Sequence, residues 1–228
     1  MNNNPFPTFA PPLPGAVVFD LDGTLIDPAP DLHAATNHAL AEGGREDISL
    51  AQCRDMIGEG LRKLIVLGLE ATGGPVAEQT LEKLVAAAFA HYAGHLTDNS
   101  KIYDDVVEVL EALAGVGVPM AVCTNKPAGF SRHILADLDL ARYFKSIVGG
   151  DSFLVCKPDP AHLLGALKPL DVAAGDAVMV GDSEADMAAG RDAGGRDDRG
   201  QHVGRASDGD QRVAAKALAK FRALVTNE

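Results

Sequence analysis

Cysteine is scarce in this 228-residue chain: Cys53, Cys123 and Cys156 are far apart and odd in number. Neither a disulfide framework nor a zinc-ligand spacing is available, which fits a reducing cytoplasm. Positive charge is also short. Twenty Lys and Arg stand against 32 Asp and Glu, a formal net charge of −12. Nucleic acid, whose phosphates would be repelled, is therefore excluded as a partner. A small phosphorylated metabolite is not excluded, because a bound cation and a few local donors set the sign of a site. No apolar run approaches the roughly 18 residues of a membrane span, so no membrane partner is expected. The leader, 1–14, is rich in Asn and Pro and lacks both a basic start and a long apolar segment. It reads as a loose tail and not as a signal peptide.

What is present is enough to bury a substantial core, since 46% of the residues are hydrophobic. The chain is organised around Phe19-Asp20-Leu21-Asp22-Gly23-Thr24-Leu25. The apolar run Ala16-Val17-Val18-Phe19 reads as a buried strand that stops where the acids begin. From Ala29 to about Asn99 the pattern is helical. Pro30 opens a helix that Gly43-Gly44 stops, Ser49 caps a short one through Ile57, and Leu61, Leu64, Ile65 and Leu69 recur at helical spacing. A long helix follows from about Val76 to His95, with Leu81, Leu84, Val85, Ala88 and Phe89 on one face. Strand and helix then alternate: strands over 118–123, 146–148 and 177–180, helices over 104–113, 127–137, 160–167 and 184–193. Alternating βαβ units predict a parallel, doubly wound α/β sheet. The expected domains are a core of 15–27 and 100–228, interrupted by an all-helical insert over 28–99.

Four stretches carry chemistry. Ligands bind at the carboxyl ends of strands in an open α/β sheet, which is where Asp20 and Asp22 fall. Their i, i+2 spacing points both into one cleft, although an Asx turn capping a helix has the same look. Thr124 and Asn125 end the second strand and offer donors for a phosphate; either one would also serve as a helix N-cap. Lys157, between Cys156 and Pro158, is a cation suited to neutralising a phosphoryl group, or a solvated loop residue. Asp182 ends the last strand and adds a carboxylate for Mg²⁺, with Asp186 a turn further on to orient it. An N-cap formed by Asp182 or Ser183 is the plainer reading. His91 and His95 stand i, i+4, a metal-compatible spacing with no third ligand evident nearby, and read as exposed cap-helix positions.

The DLDGT core resembles the nucleophile motif of the haloacid dehalogenase superfamily, mostly phosphatases acting through an aspartyl-phosphate. The four stretches stand in that superfamily's order across almost the whole chain. The resemblance implies a Rossmann-like core with a helical C1-type cap, Asp20 as nucleophile and Asp22 as general acid and base. Mg²⁺ would be held by Asp20, Asp182 and the Asp22 backbone carbonyl. Dehalogenases of the superfamily lack the second aspartate, and phosphonoacetaldehyde hydrolases replace it. Residues 24–32 and Ile57-Gly58-Glu59-Gly60-Leu61 are similar to phosphoglycolate phosphatases. That similarity implies 2-phosphoglycolate as substrate, with Gly58 and Gly60 allowing close approach of a cap loop. Arg62 or Lys63 would meet the substrate carboxylate, or would be a solvated helix charge. Relatives acting on sugar phosphates, N-acetylmuramate 6-phosphate or pyrophosphate share the four stretches, as do phosphomutases. A catalytically inactive binding protein is the reading from another class.

One stretch departs from that pattern. Where the superfamily has a further apolar strand, this chain has Gly195-Arg196-Asp197-Asp198-Arg199-Gly200-Gln201-His202-Val203-Gly204, which no buried strand tolerates. Shifted by one base, one consistent choice of codons reads Gly-Val-Thr-Ile-Ala-Val-Asn-Thr-Trp-Gly. A frameshift near Gly194 is the expectation, with an exposed loop as the alternative. Sequencing the gene and finding no missing or extra base there removes the frameshift.

Overall fold

The computed structural model describes residues 13–58 and 60–194. The expected tail over 1–12 and the polar stretch from Gly195 onward lie outside the described residues. The chain divides into two compact units. One comprises the described residues up to Ile26 and from Ile102 onward; the other is Asp27–Lys101.

The first unit is built on a parallel sheet. Strand β1 (Ala16–Phe19) has four apolar residues, all buried, as a strand covered on both faces requires. The described sheet also contains β4 (Met120–Cys123), β5 (Phe144–Val148) and β6 (Ala177–Val180), in the order β5-β4-β1-β6. All three pairings are parallel. Because side chains alternate, Ala16, Val18, Ala121, Cys123, Val148 and Met179 share one face. They form a core with Leu163, Ala166 and Leu167 of α7 (Pro160–Leu167) and Ala189 of α8 (Glu184–Asp192). Val17, Phe19, Met120 and Val122 are buried on the other face. Fully burying a side chain the size of Phe19 contributes about 2–3 kcal/mol. Helices α5 (Val106–Gly115) and α6 (Ala128–Asp137) complete the βαβ alternation.

Strand β4 begins at Met120, two residues later than the sequence suggests. Pro119 has no N–H to give a ladder, and its carbonyl accepts from the Val17 amide. β5 starts earlier, at Phe144, because its first residues include the exposed Lys145 and so carry no apolar signal. The two-residue strands β2 (Ile26–Asp27) and β3 (Lys101–Ile102), which pair with each other, are too short to leave a periodic trace.

The second unit is helical: α1 (Ala29–Glu42), α2 (Leu50–Met56), α3 (Leu61–Ala71) and α4 (Glu78–Gly94). Pro30 sits in the first turn of α1, where its missing N–H costs nothing. Ser49 and Gln52 form a reciprocal capping box on α2. Leu84, Val85 and Ala88 of α4 are buried, while Leu81 and Phe89 are only partly so. Among the described residues, no helix is long and apolar enough to cross a membrane.

Candidate active site

The register of β1 and β6 brings the first acids together. Phe19 pairs with Val180, and the Asp20 amide donates to the Val180 carbonyl at 2.9 Å. Both strands then end, releasing Asp20 and Asp182 at one sheet edge. Gly23 turns the chain in the left-handed region (φ 83°), and a Cβ there would collide with the Asp182 carboxylate. The Thr24 hydroxyl donates to Asp182 Oδ1 at 3.4 Å. Asp182 does not cap α8: Ser183 does, in a capping box with Asp186.

Lys157 stands among these acids, almost wholly buried. Its Nζ is 2.8 Å from Asp20 Oδ1 and 2.6 Å from Asp186 Oδ1. Asp186, with no exposed surface, is fully committed, since its Oδ2 accepts from the Ser183 amide and hydroxyl. Asp20 Oδ1 lies close enough to Lys157 for an ion pair, yet it has no aligned hydrogen-bond donor. One ammonium does not offset three acids in this space. Burial, above all, raises the Asp20 carboxyl to about 6 against the pull of Lys157. Burial, followed by Asp20 and Asp186, raises Asp182 to about 7. Ligand oxygens of Asp20, Asp182 and Asp186 lie within 4.8 Å of one another. An unpartnered buried oxygen in an acid-rich, oxygen-only donor set fits a hard divalent cation.

A second ion pair flanks the first. Lys126 Nζ donates to both oxygens of Asp22, at 3.1 and 2.9 Å. Lys126 carries no role in the sequence reading, though its place two residues beyond Thr124 at a strand end was a usable signal. Thr124 is buried; its amide donates to the Val148 carbonyl and its Oγ1 accepts from the Lys126 amide. Neither Thr124 nor Asn125 caps α6, whose N-cap is Pro127. Asn125 instead grips the Lys157 backbone: Nδ2 donates to its carbonyl and Oδ1 accepts from its amide, both at 2.9 Å. Burial pushes the Cys123 thiol up to about 12 and the Cys53 thiol to about 11, so neither is a nucleophile at neutral pH.

Comparisons with known proteins place the chain in a family. Residues 17–196 match the family described as haloacid dehalogenase-like hydrolase. The chain belongs to that family. Phosphoglycolate phosphatase 1 of Pseudomonas aeruginosa is 40% identical over 193 residues, 83% of this chain and 70% of the relative. Phosphoglycolate phosphatase of Rhodospirillum rubrum is 40% identical over 186 residues, 80% of this chain and 77% of the relative. The crystal structure of a predicted phosphoglycolate phosphatase from Haemophilus somnus superposes with a TM-score of 0.73 at 30% identity. It covers 79% of this chain and 82% of that one.

In this haloacid dehalogenase-like hydrolase, Asp20, Asp182, Asp186 and Lys157 are thus brought together, with Asp22 and Lys126 as a neighbouring pair. The remaining expected positions lie in the helical unit. Gly60, in the left-handed region at φ 88°, is the N-cap of α3, and Gly58 precedes it. Arg62 is held by its own unit, donating to Glu82 at 2.6 Å and Glu78 at 2.7 Å on α4. His91 and His95 are joined by a third ring that the sequence did not reveal. His38 on α1 lies 4.6 Å from His91, and His91 lies 4.6 Å from His95, centroid to centroid. Among the described residues, the three aspartates are the one group of three whose ligand atoms lie near enough to one another to hold a metal ion.

Proposed function

We propose that this chain is a Mg²⁺-dependent phosphomonoesterase that hydrolyses 2-phosphoglycolate to glycolate and phosphate through a phosphoaspartate. The observation that carries the reading is the Asp20 carboxylate, buried at a strand end with one oxygen free of hydrogen-bond donors. It shares its space with Asp182 and Lys157. The phosphoglycolate phosphatases at 40% identity support the substrate.

An Asp20 oxygen attacks phosphorus in line with the leaving alkoxide, forming an Asp–O–P bond as the P–O bond to glycolate breaks. Asp20, Asp182 and the Asp22 carbonyl would hold Mg²⁺, which would supply Lewis acidity and charge neutralisation there. Lys157 neutralises the transferring phosphoryl group together with the Asp20 carboxylate, and the Thr124 hydroxyl donates to a phosphoryl oxygen. Asp22 takes up a proton as substrate binds and gives it to the alkoxide, then takes one back from the water that hydrolyses the acyl phosphate. Lys126, on both Asp22 oxygens, fixes that carboxyl group's direction before substrate arrives. Asp186 keeps the Lys157 ammonium in place. The helical unit of Asp27–Lys101 acts as the substrate-selecting cap. Arg62, tied to Glu78 and Glu82, holds α3 to α4.

Phosphate release is measured from 2-phosphoglycolate with Mg²⁺, beside a panel of sugar phosphates, N-acetylmuramate 6-phosphate and pyrophosphate. Preference for 2-phosphoglycolate, lost in Asp20→Asn, is the expected result. Release spread evenly over the panel overturns the substrate, and release that survives Asp20→Asn overturns the mechanism.

A further inference from the structure

His162 is wholly buried in the first turn of α7, is charged with no task in the chemistry above, and sits behind Lys157. Its two ring nitrogens have unlike partners. Nδ1 receives the Lys157 backbone N–H at 3.2 Å, and Nε2 faces the Gly149 carbonyl at 3.0 Å. A backbone amide only donates and a carbonyl only accepts. The ring is therefore neutral, with its proton on Nε2 and a bare Nδ1. Burial, first, lowers its pKa, in keeping with this state. The same Nδ1 is 3.5 Å from Cys123 Sγ at the end of β4. One ring thus ties together the end of β4, the turn after β5 and the loop that carries Lys157.

We infer that His162 is a positioning residue for catalysis: with Asn125, it clamps the Lys157 backbone so that the ammonium stands between Asp20 and Asp186. The two anchors approach from different elements. Asn125, just after β4, grips both the N–H and the C=O of Lys157, and His162, from α7, shares the N–H. A lysine side chain has four rotatable bonds, so a backbone shift at its root is readily transmitted to Nζ. Loss of a second anchor lets the ammonium wander where misplacement by about 1 Å costs on the order of 100-fold in rate. The inference rests on the phosphatase reading for its rate effect, but not for its geometry.

The test compares wild-type protein with His162→Leu, which removes both hydrogen bonds, and His162→Asn, whose Oδ1 can stand where Nδ1 stands. Amide hydrogen exchange at Lys157, the ¹⁵N spectrum of the His162 ring and steady-state kinetics with 2-phosphoglycolate are recorded. The expected wild-type ring has a protonated Nε2 and an unprotonated Nδ1. His162→Leu should lose Lys157 amide protection while neighbouring strands keep theirs, and kcat should fall by about 10- to 100-fold. His162→Asn should recover most of both. Uniform loss of protection throughout the unit marks a merely structural role and overturns the inference. So does wild-type Lys157 protection in His162→Leu, or a ring proton on Nδ1. If wild-type protein releases no phosphate from any substrate, the phosphatase reading fails, while exchange and the ring spectrum still decide the clamp.

Discussion

Asp20, Asp182 and Asp186 crowd into a space that holds one fully buried cation, and the residues around them keep that imbalance in place. Lys157 is spent on Asp20 and Asp186, while the Thr24 hydroxyl stands 3.4 Å from Asp182. The backbone at Gly23 makes room for it. Gly23→Ala adds a methyl group that meets the Asp182 carboxylate and forces a left-handed conformation on an L side chain. The expected outcome is a folded protein with a normal circular-dichroism spectrum, weakened Mg²⁺ binding by calorimetry and at least about 10-fold lower kcat. Unchanged Mg²⁺ affinity contradicts this. Lys157→Met removes the ammonium that pairs with Asp20 and Asp186 and is expected to lower stability by about 3–5 kcal/mol in urea denaturation, because uncompensated charge remains. A loss under 1 kcal/mol would mean that the acids take up protons at little cost.

At the scale of elements, strand ends and caps do the placing. The helical unit shows the same economy away from the site. Asp31, in the first turn of α1, accepts from the amides of Asn99 and Ser100, the Asn99 side chain and the Ser100 hydroxyl. Asp31→Ala strands those donors and is expected to cost about 2–4 kcal/mol of stability, read by thermal or urea unfolding. A change below 0.5 kcal/mol contradicts it. Most elements were legible because their signals are local: an apolar run closing on Asp20, Pro30 opening a helix, Ser49 capping another. Asp20 and Asp182 were legible as acids at strand ends, and Lys157 as a cation beside a proline. What could not be read depends on contacts across long sequence separations. Lys126 reaches Asp22 across 104 residues, and Asn125 reaches Lys157 across 32. His38 joins His91 and His95 only once α1 and α4 pack. Nothing local distinguishes His162 from any histidine on an apolar helix face.

For the molecule as a whole, the buried acids couple stability to pH. The Asp20 and Asp182 pKa values rise from 3.8 to about 6 and about 7. Between 3.8 and about 7 these two carboxyl groups therefore hold more protons in the folded protein than in the unfolded chain, and their contribution to the stability of the metal-free protein falls as pH rises. A divalent cation bound there would favour the ionised carboxylates and act in the opposite sense, stabilising by mass action. Thermal melts should show a lower Tm for metal-free protein at pH 8 than at pH 5, with Mg²⁺ raising Tm at pH 8 much more than at pH 5. Asp182→Asn should flatten both responses. Equal Mg²⁺ shifts at the two pH values would contradict the coupling.

Quenching the enzyme in acid during turnover of ³²P-labelled 2-phosphoglycolate, then mapping the labelled peptide, shows directly whether the Asp20 carboxylate carries the phosphoryl group. The expected result is a hydroxylamine-labile label on the peptide containing Asp20, absent from Asp20→Asn. Turnover without any such label, or a label on another residue, would contradict it.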